Sequence, residues 1–225
     1  MVLNLTVVLN TQKMEINNIT KPIQAYSNAL RKIYPDLNSD EIHFISSKVT
    51  VTKLKAKKLY LIAGEIQESL AFAFKGLLRS FHINDKGEEI TIAFIKENNY
   101  ATDYGAFISQ TPSKYYIQTL ESCLLVNVPF TLIQECYSKY KNFEKYGRLI
   151  AEKHLNRRQN RIESFLFENA EQRYINFISQ NKDILNRISL THLSSFLGIK
   201  RQTLTRIRKR VIQFNIDTNV SCNKF

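Results

Sequence analysis

The 225-residue chain has no tryptophan, only three cysteines, and no apolar run near the roughly 18 residues that a membrane span requires. A transmembrane protein is therefore excluded. Cys123, Cys136 and Cys222 are odd in number and widely spaced, which argues against a disulfide framework and against a CxxC zinc or iron–sulfur site. A reducing cytoplasm is the expected compartment. The four histidines, His43, His82, His154 and His192, are scattered and include no His-x-His pair of the kind that barrel metalloenzymes need. Each is read as a surface or internally satisfied histidine, so no enzyme, metal or cofactor is expected. Met1 to Asn10 carry no charged side chain, hence no basic n-region of a secretory signal. Met14 is an alternative start, and no role is assigned to this stretch.

Apolar material is present in quantity: 44% of the chain is hydrophobic and 23% charged, with 14 Phe and 11 Tyr, which supports a packed core and excludes wholesale disorder. The net charge of +12 is unevenly placed. Residues 148–225 hold 15 Lys+Arg against 6 Asp+Glu, whereas residues 1–147 hold 17 against 14. A basic half joined to a near-neutral half suggests a surface for a polyanion, most simply nucleic acid, the alternative being a solvated basic helix face.

Ile23, Tyr26, Leu30 and Ile33 recur at helical steps and predict a short amphipathic helix ended by Tyr34-Pro35. Asn38-Ser39 caps a second, running toward Ser47. Residues 48–130 change period. Val49, Val51 and Leu54, then Leu59 and Leu61, the Phe-rich stretch Ser69 to His82, Glu89 to Ile95, Tyr115 to Leu120 and Cys123 to Val128 read as short strands, with Asn84-Asp85-Lys86-Gly87 as a hairpin turn. Short strands without an intervening long helix imply a β-roll or small barrel. Thr131 to Phe167 contains no proline and only Gly147 as a breaker, which predicts one long helix of roughly 35 residues or two with a bend at Gly147. Ile150, Leu155, Ile162, Phe165 and Leu166 mark its apolar side. A second copy of the helix is the simplest partner for that stripe. Residues 170–180 form another helix around Tyr174, Phe177 and Ile178.

The segment Ser189 to Val211 is the most informative. Leu190, Leu193 and Leu197 define a short helix with Ser189 as N-cap. Gly198 stands where a tight turn needs positive φ, and a second helix starts near Lys200 with Leu204, Ile207 and Val211 inside. Two short helices joined by such a turn are the signature of a helix-turn-helix. At 100° per residue, Gln202, Thr205, Arg206 and Lys209 project away from the buried stripe, with Arg201 on its flank. Arg suits guanine O6 and N7, Gln suits adenine N6 and N7, and the N-terminal end of the second helix is where base edges are read. Lys200, Thr203, Arg208 and Arg210 are placed for phosphates.

Three stretches then carry a resemblance to the Crp/Fnr family of transcription regulators, spanning roughly residues 24–212. Ala73-Phe74-Lys75-Gly76-Leu77-Leu78-Arg79, followed by the Asp85-to-Glu88 turn, resembles the family's V-x-x-G-x-x-R strand and hairpin, with Ala73 in place of Val. The long helix resembles the dimerisation helix. Gly198 to Ile207 is similar to the turn and recognition helix, Arg201, Gln202 and Arg206 taking the base-reading places, with Gln202 where Glu is commoner. The resemblance implies an α+β chain: an N-terminal extension (1–20), a β-roll or double-stranded jelly roll with flanking helices (21–130), a long dimerisation helix (131–168) and a C-terminal helix-turn-helix domain of winged-helix type (169–225). After Val211 too few residues remain for a well-formed wing.

The family's nucleotide pocket is altered. Thr102-Asp103 stands where the ribose-binding Gly-Glu pair is expected, and Ser113-Lys114 where the phosphate-binding Arg-Ser pair is expected. A lysine ammonium lacks the planar fork of a guanidinium. Asn156-Arg157 replaces the adenine-reading polar pair of the helix. The pocket is read as degenerate for cyclic AMP. The expected function is a sequence-specific DNA-binding transcriptional regulator, a homodimer reading an inverted repeat in double-stranded DNA and not controlled by cyclic AMP. RNA polymerase and an unidentified small-molecule effector are open candidate partners. The alternative is a small-molecule sensor or protein-interaction module that keeps the helix-turn-helix as a scaffold.

Overall fold

A computed structural model describes residues 19–222, without the side chains of residue 212 and of residues 214–222. The extension assigned to residues 1–20 therefore lies outside the described residues except for its last two. The side chain of Cys222 lies outside them as well.

Helix α1 (19–33) turns Tyr26 and Leu30 inward, as its three- and four-residue steps require. Helix α2 (Ser39–Ser46) begins with a capping box: the Asn38 side chain accepts from the Glu41 N–H while Glu41 accepts from the Asn38 N–H. Two of the helix's orphan donors are thereby satisfied.

Eight strands follow: β1 (Thr50–Leu54), β2 (Leu59–Leu61), β3 (Ser69–Lys75), β4 (Leu78–Ile83), β5 (Glu89–Ile95), β6 (Tyr100–Ala101), β7 (Tyr116–Thr119) and β8 (Cys123–Pro129). They form two four-stranded sheets, ordered β1-β8-β3-β6 and β2-β7-β4-β5, which is the jelly-roll arrangement. The period of two decides which side chain goes where. On β3, Ala71 and Ala73 face the second sheet and meet Leu61, Leu78 and Ile117. Leu70 and Phe72 point the other way, into a cluster with α1 and the helices that follow the roll. Strands β3 and β8 are thus covered on both faces, which is why they read as nearly unbroken apolar runs. The Ser69-to-His82 stretch is two strands in different sheets. Gly76 separates them with φ +102°, and a Cβ there would collide with Cys123 and the Ser122 carbonyl. At the β4–β5 turn, the Asn84 side chain accepts from the Lys86 and Glu88 N–H groups and Gly87 has φ +75°.

Helix α3 (Tyr104–Ser109) lies between β6 and β7 and was not foreseen from periodicity. It is too short to show a stripe. Helices α4 (Phe130–Lys139) and α5 (Lys141–Phe167) replace the single 35-residue helix, and they part at Tyr140 rather than bending at Gly147. Tyr140 adopts an extended conformation (φ −134°, ψ 112°), with its ring packed on Phe44 and Phe143. Gly147 stays helical, and the Tyr137 ring of α4 lies directly over it, leaving no room for a Cβ. The glycine serves close packing of two helices. Sequence left a bend at Gly147 open because it does not show the ring.

Helices α6 (Ala170–Gln180), α7 (Leu190–Leu197) and α8 (Arg201–Cys222) complete the described residues. Helix α8 continues well past Val211, so among the described residues no strand of a wing follows it. The chain divides into two compact units, one of residues up to Ser80 with Phe94–Leu155, the other of Phe81–Ala93 with residues from Asn156 onward. No helix among the described residues is long and apolar enough to cross a membrane.

Candidate nucleic-acid interface

Helix α7 is capped by Ser189, whose side chain accepts from the His192 N–H, and it buries Leu193 and Leu197. It ends at Gly198 in the left-handed region (φ +66°), and the Gly198 and Ile199 N–H groups return to the Ser195 and Ser194 carbonyls. The chain then enters α8, where Leu204 and Ile207 are fully enclosed and Val211 is half-buried. Their three-residue and four-residue steps fix the opposite face toward solvent. Arg201, Gln202, Thr205, Arg206 and Lys209 are all exposed, as is Lys200 just before the helix. Thr203 and Arg208 are half-buried at the flanks. The Thr205 hydroxyl donates to the Arg201 carbonyl one turn earlier. Arg210, assigned from sequence to a phosphate, is exposed but engaged with Glu171 of α6 at 2.8 Å. That pairing joins residues 39 apart, which no local pattern reveals.

The two helices rest on a cationic–aromatic layer that sequence reading did not find. The Arg161 guanidinium lies 3.8 Å from the Phe196 ring centroid and 4.3 Å from that of Phe165, and it donates to the Phe196 carbonyl. Burial, with Arg173 nearby, lowers the Arg161 pKa from its usual value to about 10. Arg173 donates to the Leu197 and Glu168 carbonyls. The α7 carbonyls at the helix C-terminus, which have no helical partner, thus receive guanidinium donors. The Phe165 ring presses on Gly198, so a Cβ there would overlap it. Ser195 of α7 donates to the Glu89 carbonyl and accepts from the Thr91 N–H, both at 2.9 Å. The one trace of this layer in the sequence is that Arg157, Arg158 and Arg161 interrupt the otherwise apolar side of α5.

In the region of the family's nucleotide pocket, Thr102, Asp103 and Ser113 come together around a residue the sequence reading missed, Gln67. The Gln67 side-chain oxygen accepts from the Thr102 hydroxyl (2.9 Å) and the Asp103 N–H (3.2 Å). Its amide donates to the Ser69 and Ala101 carbonyls. The buried Asp103 carboxylate accepts from the buried Ser113 hydroxyl at 3.0 Å, and that hydroxyl accepts from the Tyr115 N–H. Lys114 is exposed. Arg79 of β4 is buried and donates to Gln118, so its guanidinium braces the second sheet. Asn156 and Arg157 are exposed on α5 and belong to the second unit.

Among the described residues no group of three or more His, Cys, Asp and Glu side chains is placed to hold an ion. His154 stacks on Tyr104, with centroids 4.4 Å apart and planes 4° from parallel. Cys123 is buried in the roll. Cys136 is also buried, and burial pushes its thiol up to about 12, far from the thiolate a redox sensor requires.

No family model matches the chain, and no curated protein sequence does. Solved structures do. A structure of CLP, described as a c-di-GMP responsive global regulator of Xanthomonas campestris, superposes with a TM-score of 0.64 at 12% identity, covering 79% of this chain and 93% of that one. FixK2 from Bradyrhizobium japonicum gives 0.66 at 14% identity, covering 75% and 86%. A structure from Eubacterium rectale assigned to the Crp/Fnr transcriptional regulators gives 0.62 at 18% identity, covering 81% and 87%. The chain therefore has the Crp/Fnr fold, a cyclic-nucleotide-binding type of roll followed by the helical C-terminal part.

Proposed function

We propose that this chain is a cytoplasmic, sequence-specific DNA-binding regulator of transcription that acts as a homodimer and does not respond to cyclic AMP. One observation carries the reading. Arg201, Gln202, Arg206 and Lys209 stand in solvent on the side of α8 opposite the enclosed Leu204 and Ile207, directly after a helix-ending glycine. That is the side chain set and the presentation that major-groove readout requires. The surplus of nine positive charges in residues 148–225 supplies the sequence-independent attraction to phosphate.

Dimerisation is supported by the second half of α5. Leu155, Ile162 and Leu166 are 60–70% exposed. They fall on one side of the helix, since steps of seven and four residues return to nearly the same angle. In a twofold dimer the two α8 helices would meet successive major grooves about 34 Å apart. Independence from cyclic AMP is supported by the Asp103–Ser113 pair. Ser113 stands where the resemblance expects the phosphate-binding guanidinium, and its hydroxyl is already donated to the Asp103 carboxylate.

The test is selection of bound duplexes from a random DNA pool at about 150 mM salt, where distant charges are screened, with and without cyclic AMP. An enriched inverted repeat, unchanged by the nucleotide, is the expected result. Enrichment that appears only with cyclic AMP overturns the effector part. No enrichment under any condition overturns the DNA-reading part and favours the helix-turn-helix as a scaffold.

A further inference from the structure

Thr205 holds a place on α8 that neither packing nor charge explains. In the first two turns of the helix Arg201, Gln202, Thr205 and Arg206 face solvent, while Leu204 and Ile207 are enclosed. At about 100° per residue, Thr205 and Arg206 stand about 50° to either side of the direction opposite the buried stripe, with Gln202 and Lys209 between them. Thr205 therefore lies within the face that a major groove would meet. Its neighbours there end in an amide or a cation, and each can address a base edge through hydrogen bonds. Threonine differs in kind, because half of its short side chain is a methyl group.

The other half, the hydroxyl, is already committed. It donates to the Arg201 carbonyl at 3.1 Å, one turn back along the helix. The two rotamers that threonine adopts in a helix both allow such a bond, and in both the Cγ2 methyl stands clear of the preceding turn. Thr205 thus turns its oxygen to the backbone and its methyl outward. For the fold this residue is a poor choice: β-branching restricts it, and back-bonding of this kind slightly destabilises a helix. Because Thr205 is exposed, no core contact within the chain offsets that cost.

We infer that Thr205 is a specificity-determining residue that reads thymine, its Cγ2 methyl packing on the C5 methyl that only this base presents in the major groove. The inference rests on the proposed reading of α8 as the base-reading helix, and it adds the chemistry of one base position. The competing role is a hydroxyl that accepts from adenine N6 or cytosine N4. The bond to Arg201 disfavours that role, since it holds the oxygen against the backbone.

The experiment starts from the duplex that the full chain selects out of a random pool. Each thymine in it is replaced in turn by deoxyuridine, which deletes only the C5 methyl. Affinity is measured by fluorescence anisotropy for the wild type, Thr205→Val and Thr205→Ser. Valine keeps a methyl and lacks the hydroxyl, whereas serine keeps the hydroxyl and lacks the methyl. Both changes are small and exposed, so circular dichroism should stay native. At one thymine of each half-site, deoxyuridine is expected to weaken the wild type about fourfold, the worth of one buried carbon. Thr205→Val should keep that sensitivity, and Thr205→Ser should lose it there and at no other position. Equal affinity for thymine and deoxyuridine at every position would overturn the inference. So would a sensitivity unchanged in Thr205→Ser, or one lost in Thr205→Val alone. Failure of the wild type to select any duplex would overturn the reading of α8 itself, before any variant is compared.

Discussion

Arg161 of α5 holds Phe196 of α7 in two ways, with its guanidinium 3.8 Å from the ring centroid and an N–H donated to the Phe196 backbone carbonyl. The same guanidinium covers Phe165, and Phe165 covers the glycine that turns the chain into α8. The turn from α7 into α8 thus rests, through Phe165, on one arginine of α5.

Replacing Arg161 by Ala removes two cation–π contacts and a charge-assisted hydrogen bond. The expected loss is about 2–4 kcal/mol, less whatever the lifted burial of the charge returns. Arg161→Lys is expected to recover less than half of it, because an ammonium cannot stack on two rings and reach the carbonyl at once. Urea titration followed by circular dichroism, with amide exchange on α7 as the local probe, measures both.

Gly198→Ala meets two obstacles, the positive φ and the Phe165 ring. A loss above about 2 kcal/mol is expected, since left-handed backbone alone costs an L-residue roughly 1–2 kcal/mol. Adding Phe165→Ala relieves only the overlap. The double variant should therefore show a smaller penalty for Gly198→Ala than the single one, but not zero. Strict additivity of the two would mean the ring and the glycine do not touch in solution.

On the proposed DNA face the residues separate by role. Arg206→Ala is expected to cost about 1–3 kcal/mol on the selected site and to relax preference at one base position. Lys209 projects on the same face. Arg208, half-buried at the flank, is expected to weaken all sequences alike when replaced by Ala and to lower the salt slope by about one. Titrations against matched and single-mismatch duplexes at three salt concentrations distinguish the two behaviours.

Ile162→Glu places a charge within the exposed stripe of Leu155 and Leu166. Because Ile162 is 60% exposed, the protomer should lose little stability. Its sedimentation coefficient should nevertheless fall to that of a monomer, with loss of affinity for an inverted repeat. A dimer that persists in the variant would place the twofold contact elsewhere.

Alkaline pH should unfold the first unit early. Burial pushes the Tyr100 and Tyr137 hydroxyls from the usual 10 up to about 12, and holds Tyr26 and Tyr146 well above 10. The folded chain keeps protons that the unfolded chain gives up from pH 10 onward. Stability is therefore full below pH 10 and falls between about 10 and 12, by about 1.4 kcal/mol per pH unit for each proton retained. Tyrosinate absorbance should rise in two stages, exposed tyrosines first and the buried group only as helical signal is lost. A single smooth titration centred on 10 would contradict the buried tyrosines.

Local pattern carried much of this protein. The α6 boundaries at residues 170–180, the Asn38 and Ser189 caps, the Asn84–Gly87 hairpin and the Leu204–Ile207 stripe were all legible in sequence, because each follows from spacing within one turn or one strand. The same is true of which α8 side chains face water, since burial of two positions fixes the rest of a helix. Tertiary structure decided what depends on residues far apart. It broke the long helix at Tyr140, where an aromatic ring finds Phe44, and kept it whole at Gly147, where a Tyr137 ring needs the space. It drew Arg210 to Glu171, closed Asp103 onto Ser113 and gathered three tyrosines from α1, β6 and α5 around one cavity. Periodicity reports the direction a side chain takes from its own backbone. What it meets there depends on chain that returns from dozens of residues away, and only packing settles that.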